Sequence, residues 1–258
     1  MKSNLQVWSV GGGRQSCGLG ALIIQGKFEK PDIAVMADTG REKKRTWDYL
    51  SEYLIPGLAS VGVTLEIIKS KEWGYAGESY VDGSGDLMLP VYTADGKNSP
   101  DCSGSWKRDA INRWLSVEKG ITRSQYVKWI GFSRDEPRRI LRMRESKKEG
   151  GGKSRFPLLE LWLTKRECIK ACLDLGWPEP PWSACYMCPN MTDTDWNNLT
   201  PEEKWQAIEF EKEMQRDYPD AFLHRSCRPI EESLKTIWLS KESDLFDNEP
   251  CDSGLCFT

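Results

Sequence analysis

"VWSVGGGRQSCGLGAL", residues 7–22, is the stretch whose reading decides the fold. An apolar, strand-like run from Leu5 to Val10 meets Gly11, Gly12 and Gly13, and Leu19, Leu22 and Ile23 then supply one face of a helix. Closely spaced glycines let successive backbone N–H groups face one point. A helix starting there adds the positive end of its dipole, and together they cradle a phosphate or pyrophosphate. Two familiar phosphate loops are excluded. The stretch has no Gly-Lys-Ser/Thr ending, and it lacks the dinucleotide pattern with its acidic residue in the ribose position.

Outward from that turn, strands and helices alternate. "DIAVMAD", Asp32 to Asp38, is a near-continuous apolar run, as a strand covered on both faces requires. Between Lys43 and Gly57, Trp47, Leu50, Tyr53 and Leu54 recur at helical spacing, and Thr64–Ile68 and Tyr126–Phe132 are further strands. The pattern predicts a doubly wound, mostly parallel α/β sheet, which binds ligands at the carboxyl ends of its strands. Residues 1–144 are expected to form this nucleotide-binding domain, with an insertion or lid at 73–104 rich in Gly, Asp, Ser and Pro. A flexible connector is expected at 145–155, and a smaller cysteine-containing helical region at 156–258, packed on the first domain. In that region Thr164 with Glu167 reads as a capping box. Thr200, Pro201, Glu202 and Glu203 open a second helix carrying Trp205, Ile208 and Met214 inward.

Composition narrows the function classes. Thirty-six basic against thirty-nine acidic side chains leave a formal charge of −3, so no global field draws the chain to nucleic acid or to an anionic membrane. No run approaches the roughly 20 apolar residues of a membrane span, and the start lacks a secretory signal, which predicts a cytoplasmic protein. A single histidine rules out multi-histidine metal chemistry. "KKEGGGKSR" reads as a solvated loop, with contact to nucleic acid phosphates the less favoured alternative. Trp106, Ala110 and Trp114 share an apolar helical face, and the lone His224 reads equally as a pocket residue or a satisfied structural one.

Nine cysteines are many for a reducing compartment, and point to metal or redox chemistry before disulfides. Cys168 and Cys172 sit four apart on an apolar helical face and read as core filler. Cys17 reads as a small residue of the glycine loop. In "CYMCP", Cys185 and Cys188 hold two thiols on one tight turn, a spacing used for zinc and for iron–sulfur clusters. Cys102, Cys251 and Cys256 lie in polar segments away from the apolar stripes.

The loop resembles the pyrophosphate loop of the N-type ATP pyrophosphatases, written Ser-Gly-Gly-x-Asp-Ser, with Ser9, Gly11, Gly12, Gly13 and Ser16 in place and Gln15 where that pattern has Asp. The Asp38-Thr39-Gly40 turn with a following acidic residue, "IGFSRDEPRR", "RFPLLEL", "PPWSACYMCPNM" and "FLHRSCRPIEE" complete an order of motifs. In that order the chain resembles the phosphoadenosine phosphosulfate reductase-like, or adenine nucleotide alpha-hydrolase-like, family, which is often carried by phages. The resemblance implies an enzyme that binds ATP or a related adenine nucleotide at Ser9, Gly11, Gly12, Gly13, Gln15, Ser16, Asp38, Thr39 and Gly40. Asp38 and Glu136 would place Mg²⁺ or the ribose, and Arg138 or Arg139 would offset phosphate charge. It also implies a [4Fe-4S] cluster, with zinc as the alternative, on Cys102, Cys185, Cys188 and Cys256, with Cys251 or Cys227 as rivals for the last position. The reaction implied is adenylation of a nucleic acid or small-molecule acceptor with release of pyrophosphate, linked to sulfur transfer from a donor protein. A sulfonucleotide reductase or sulfotransferase and a binding module without turnover are the alternatives. The Glu-Cys-Gly-Leu-His tail and the adjacent Cys-Cys pair of plain sulfonucleotide reductases are missing.

Overall fold

Leu5–Ser9 forms β1, the central strand of a parallel sheet, in a computed structural model that describes residues 4–74, 79–82, 84–98, 102–145 and 153–239. There follow α1 (Arg14–Ile24), β2 (Ile33–Asp38), α2 (Lys44–Tyr49), α3 (Ile55–Ser60), β3 (Leu65–Lys69) and α4 (Ser70–Trp73). A hairpin of β4 (Tyr92–Thr93) and β5 (Gly96–Lys97) precedes α5 (Asp109–Val117), β6 (Tyr126–Trp129), α6 (Pro137–Glu145), β7 (Lys153–Arg155), α7 (Pro157–Glu160) and α8 (Lys165–Leu173). The last elements are α9 (Asp193–Asn197), α10 (Pro201–Asp217) and α11 (Ile230–Leu239). Among the described residues no helix is long and apolar enough to cross a membrane.

The sheet order is β3-β2-β1-β6-β7 and every neighbouring pair is parallel, so the α/β, doubly wound architecture is as the alternation predicts. After β1 the chain winds outward through β2 to β3, then returns to the other side of β1 as β6. The order reverses between β1 and β6, which makes the carboxyl ends of these two strands the ligand crevice of such a sheet. Alternate residues of β1 and β2 feed two cores. Trp8, Ala34 and Met36 pack with α1 and the 50–58 helical stretch on one face, and Val7, Val35 and Ala37 pack with Ala110, Ile111 and Trp114 of α5 on the other. Trp8 and Trp129 are fully buried, each worth roughly 2–3 kcal/mol of apolar burial. Helices α1 and α8 approach so closely that a Cβ on Gly18 would run into Cys168. Cys168 and Cys172 are buried there as core filler.

The chain divides into two compact units at other places than the composition suggests. One comprises Met1–Gly77 and Ser105–Ser183, the other Glu78–Gly104 and Ala184–Thr258. The expected boundaries at 144 and 156 fail because β7, inside the expected connector, pairs with β6, and α8 packs on α1. The described part of the expected insertion is no open lid. Met88, Leu89 and Val91 are buried in the second unit, and Tyr92 bridges to Phe222 by paired backbone hydrogen bonds of 2.8 and 2.9 Å.

In the second unit α10 begins with the expected capping box of Thr200 and Glu203. Its inward face differs from expectation: Met214 is buried with Ala207 and Glu211, while Trp205 is 58% exposed. Residues 207, 211 and 214 follow the helical period, and position 205 falls off that face. The buried Glu211 accepts the Leu223 N–H at 2.8 Å and also the Ile230 N–H. Burial raises its carboxyl above the usual range, and these two bonds partly offset the rise.

Candidate nucleotide site

The loop between β1 and α1 is built as its sequence suggests. Gly12 has φ +73, and a Cβ there would also meet Thr46 Cγ2 at 3.0 Å and Met36 Cε at 3.2 Å, so backbone conformation and space both demand glycine. The Gly11 N–H donates to Ser16 Oγ at 2.9 Å, which closes the loop on the first turn of α1. Gly13 is the N-cap in extended conformation, with no side-chain cap and no acidic residue in the first turn. The first amides of α1 have no carbonyl within the helix to receive them, and they follow directly on the carboxyl end of β1. Ser9 ends β1, half-buried, in register with Val35 of β2.

Cys17 lies one turn inside α1, fully buried, and not in the loop as its sequence context suggests. Burial, with a further contribution from Cys172, pushes its thiol well up, which leaves it without the thiolate that reactivity needs.

Gln15 joins the first loop to the one that follows β6. Its side-chain N–H₂ donates to Glu136 Oε2 at 2.9 Å and lies 3.5 Å from Ser133 Oγ. Glu136 is buried and occupied on both oxygens: Oε2 also takes the Ser133 N–H and hydroxyl at 3.2 Å each, and Oε1 pairs with Arg139. The residue expected to place Mg²⁺ or the ribose is therefore a structural pin for the two loops. Arg139 is its ionic partner, and Arg138 stands exposed on α6.

The β2 end supplies the third wall. Asp38 Oδ1 accepts the Gly40 N–H at 2.7 Å in a tight turn, with Gly40 at φ +70. Thr39 is buried, and its Oγ1 accepts the Arg41 N–H at 3.3 Å. Beyond it lie residues outside the expected nucleotide-binding set. The Glu42 side chain, 1% exposed, takes Lys107 Nζ at 3.3 Å and the Ser183 hydroxyl at 2.6 Å. Ser183 Oγ also lies 2.7 Å from the Gly11 carbonyl. Lys43, only 1% exposed, holds its ammonium 4.2 Å from the centre of the Trp182 ring, and Arg41 lies 4.6 Å from that of Trp106. The Thr46 hydroxyl is buried without a hydrogen-bond partner among the described residues. The signals for these residues were the acid after the Asp-Thr-Gly turn, the lysine of "GSWKRD" and the serine of "PPWSAC".

The cysteines of the second unit are only partly assembled. Cys185 and Cys188 share the tight turn their spacing predicts, with the Cys188 N–H 3.1 Å from the Cys185 carbonyl, and both are half-buried, as is Cys102. Among the described residues no three Cys, His, Asp or Glu side chains form a group able to hold a metal ion. Cys251 and Cys256 lie outside the described residues. Cys227 is exposed at φ +51, with Sγ 3.6 Å from the Thr93 carbonyl. The described thiols do not close a site for a cluster or for zinc. His224 is a satisfied structural residue, held by Asp193 at 3.0 Å and Ser226 at 2.9 Å. Burial works to raise the Asp193 carboxyl, but His224 and Arg225 outweigh it and hold it low.

No protein family matches the chain by sequence, and no curated protein does. Among solved structures, "U34-tRNA thiolase NcsA from Methanococcus maripaludis with its [4Fe-4S] cluster" aligns over 99% of this chain and 81% of that one, at 16% identity and a TM-score of 0.43. A likeness at this level establishes neither a shared family nor a shared chemistry.

Proposed function

We propose that this chain is an adenine-nucleotide-dependent enzyme that holds the phosphates of ATP or a close relative in the Gly11–Ser16 loop and transfers adenylate to an acceptor oxygen, with release of pyrophosphate. The observation that carries this reading is Gly12: left-handed and closed in by Thr46 and Met36, it opens an uncapped helix at the point where the sheet order reverses. The amides of the first turn of α1 bind phosphate oxygens, and the Gln15 side chain, oriented by Glu136, fixes the loop around them. Lys43 and Lys107 supply positive charge on the opposite wall, and such preorganised donors favour the charge that develops as the α-phosphate is attacked.

Mg²⁺ fits this arrangement. One protein carboxylate plus nucleotide phosphates is a common set for this ion, and Asp38 stands at the strand end to provide the carboxylate. The metal would neutralise phosphate charge during transfer. Sulfur transfer through a cluster has no complete site among the described residues, and no step is assigned to it.

A specific observation favours a second reading, regulated binding without turnover: Gln15 stands where an acid would assist metal–pyrophosphate handling, and Glu136 is spent on Arg139, Ser133 and Gln15. Calorimetric titration with MgATP, followed by a pyrophosphate-release assay with candidate acceptors, separates the two. Binding lost in Gly12→Val together with pyrophosphate release in the wild type supports the enzyme. Binding without release under every acceptor supports the regulatory module, and unchanged affinity in Gly12→Val ends both.

A further inference from the structure

Trp162 is 67% exposed and adopts φ +56. Its backbone explains the conformation: α7 ends in a Schellman turn, with the Trp162 N–H on the Leu159 carbonyl at 3.0 Å and the Leu163 N–H on the Leu158 carbonyl at 2.8 Å. That places Trp162 at the left-handed C′ position, where glycine is preferred because a Cβ is strained. The sequence thus sets its largest side chain where the smallest is favoured, and leaves the ring in water. Leu161 and Leu163 on either side pack against the core, whereas the indole is left in solvent.

The surroundings give the ring a chemical context. The Arg134 guanidinium lies 5.8 Å from the centre of the indole, and the Arg134 N–H donates to the Leu163 carbonyl at 2.8 Å, so the two loops are tied together. Arg138 at the start of α6 and Arg166 at the start of α8 are exposed. The neighbouring carboxylates are committed locally: Asp135 lies 3.2 Å from the Lys165 N–H, and Glu167 closes a capping box with Thr164. An exposed flat ring with one guanidinium beside it, on a surface where α6 and α8 each begin with an exposed arginine, matches one ligand class well, an unpaired base with its flanking phosphates.

We infer that Trp162 and its arginines bind single-stranded nucleic acid, with one base stacked on the indole and backbone phosphates on Arg134, Arg138 and Arg166. A duplex hides the base faces that the ring would use. Because Arg134 lies two residues from Glu136, which grips Gln15 of the phosphate loop, a strand held here is presented beside the nucleotide site. The role of that strand as adenylate acceptor rests on the nucleotide reading above; its binding does not.

Fluorescence anisotropy of the full chain with labelled oligothymidylate and oligouridylate of about 12 nucleotides tests this. Single strands should bind about tenfold or more tighter than a duplex of equal length. Trp162→Gly should weaken them by about 5- to 100-fold with no loss of melting temperature. Arg134→Gln should weaken binding and reduce the slope of log affinity against log salt by about one. Absence of binding, equal affinity for duplex, or unchanged affinity in Trp162→Gly overturns the inference. Equal binding of polyglutamate also overturns it, in favour of an acidic protein partner. Gly12→Val separates the two claims: it should lose MgATP and keep the oligonucleotide. A wild type that ignores MgATP but binds single strands through Trp162 would remove only the nucleotide reading.

Discussion

Helices α8 and α1 pack against each other, yet they begin in opposite ways. Helix α8 starts with a complete capping box: Thr164 accepts from the Glu167 amide, and the Glu167 carboxylate returns to the Thr164 N–H at 2.7 Å. Helices α9 and α10 repeat the device with Thr192 and Asp195, and with Thr200 and Glu203. Helix α1 has glycine at the N-cap, no side-chain bond and no acid in its first turn, and α2, which follows β2, also lacks both. Three helices late in the chain are closed by such boxes, while the two that follow the central strands begin with neither a side-chain cap nor an acid. An anion from outside completes a helix start of that kind.

Gly12→Val breaks the contrast most severely. A branched side chain at φ +73 against Thr46 closes the cradle, and calorimetry should show MgATP affinity reduced by at least about 100-fold. Gly13→Asp sharpens it by giving α1 the cap it lacks. Its carboxylate would occupy the phosphate position, so affinity should fall by roughly tenfold, while the melting temperature stays within about 2 °C, the gain from capping being offset by the 3.3 Å approach to Ser183 Cβ. An unaltered affinity there would show that the start of α1 is not the anion seat.

The converse change, Thr200→Ala, removes a cap that serves only stability. It should cost about 1 kcal/mol, or roughly 2–4 °C in melting temperature, and leave MgATP affinity unchanged. The smallest effect concerns pH. The Thr164 N–H, then its hydroxyl, hold the Glu167 carboxyl below its ordinary range. Its contribution to α8 is therefore complete above the unfolded value near pH 4.3 and is lost as pH falls through the lower folded value. Amide-exchange protection in the first turn of α8 should fall between about pH 5 and 3, and Glu167→Gln should flatten that fall.

Much of this was legible in the sequence, for physical reasons. Strands β1, β2 and β6 lie inside the sheet and so are written in largely apolar runs, the edge strand β3 shows itself by Leu65 and Ile68 turned to the core, and the glycine loop announces itself because only glycine takes its backbone. The strand β7 was not legible. Lys153, Ser154 and Arg155 carry no apolar signal, because an edge strand this short is specified by its neighbour β6. The pairing of Glu42 with Lys107 spans 65 residues, and that of Gln15 with Glu136 spans 121, distances over which no local pattern points to a partner. Trp205 misled because its hydrophobicity outweighed its phase on α10.

The three cysteines that fill the α1–α8 region, Cys17, Cys168 and Cys172, are buried, and burial pushes all three thiols up, that of Cys172 to about 11. Those described in the other unit, Cys102, Cys185, Cys188 and Cys227, are half-buried or exposed. The chain therefore carries a built-in clock for its own opening. Under gradual denaturation with an alkylating reagent, mass increments on the second set mark surface accessibility from the start, and increments on the first set mark the moment when α8 parts from the helix that bears the glycine loop.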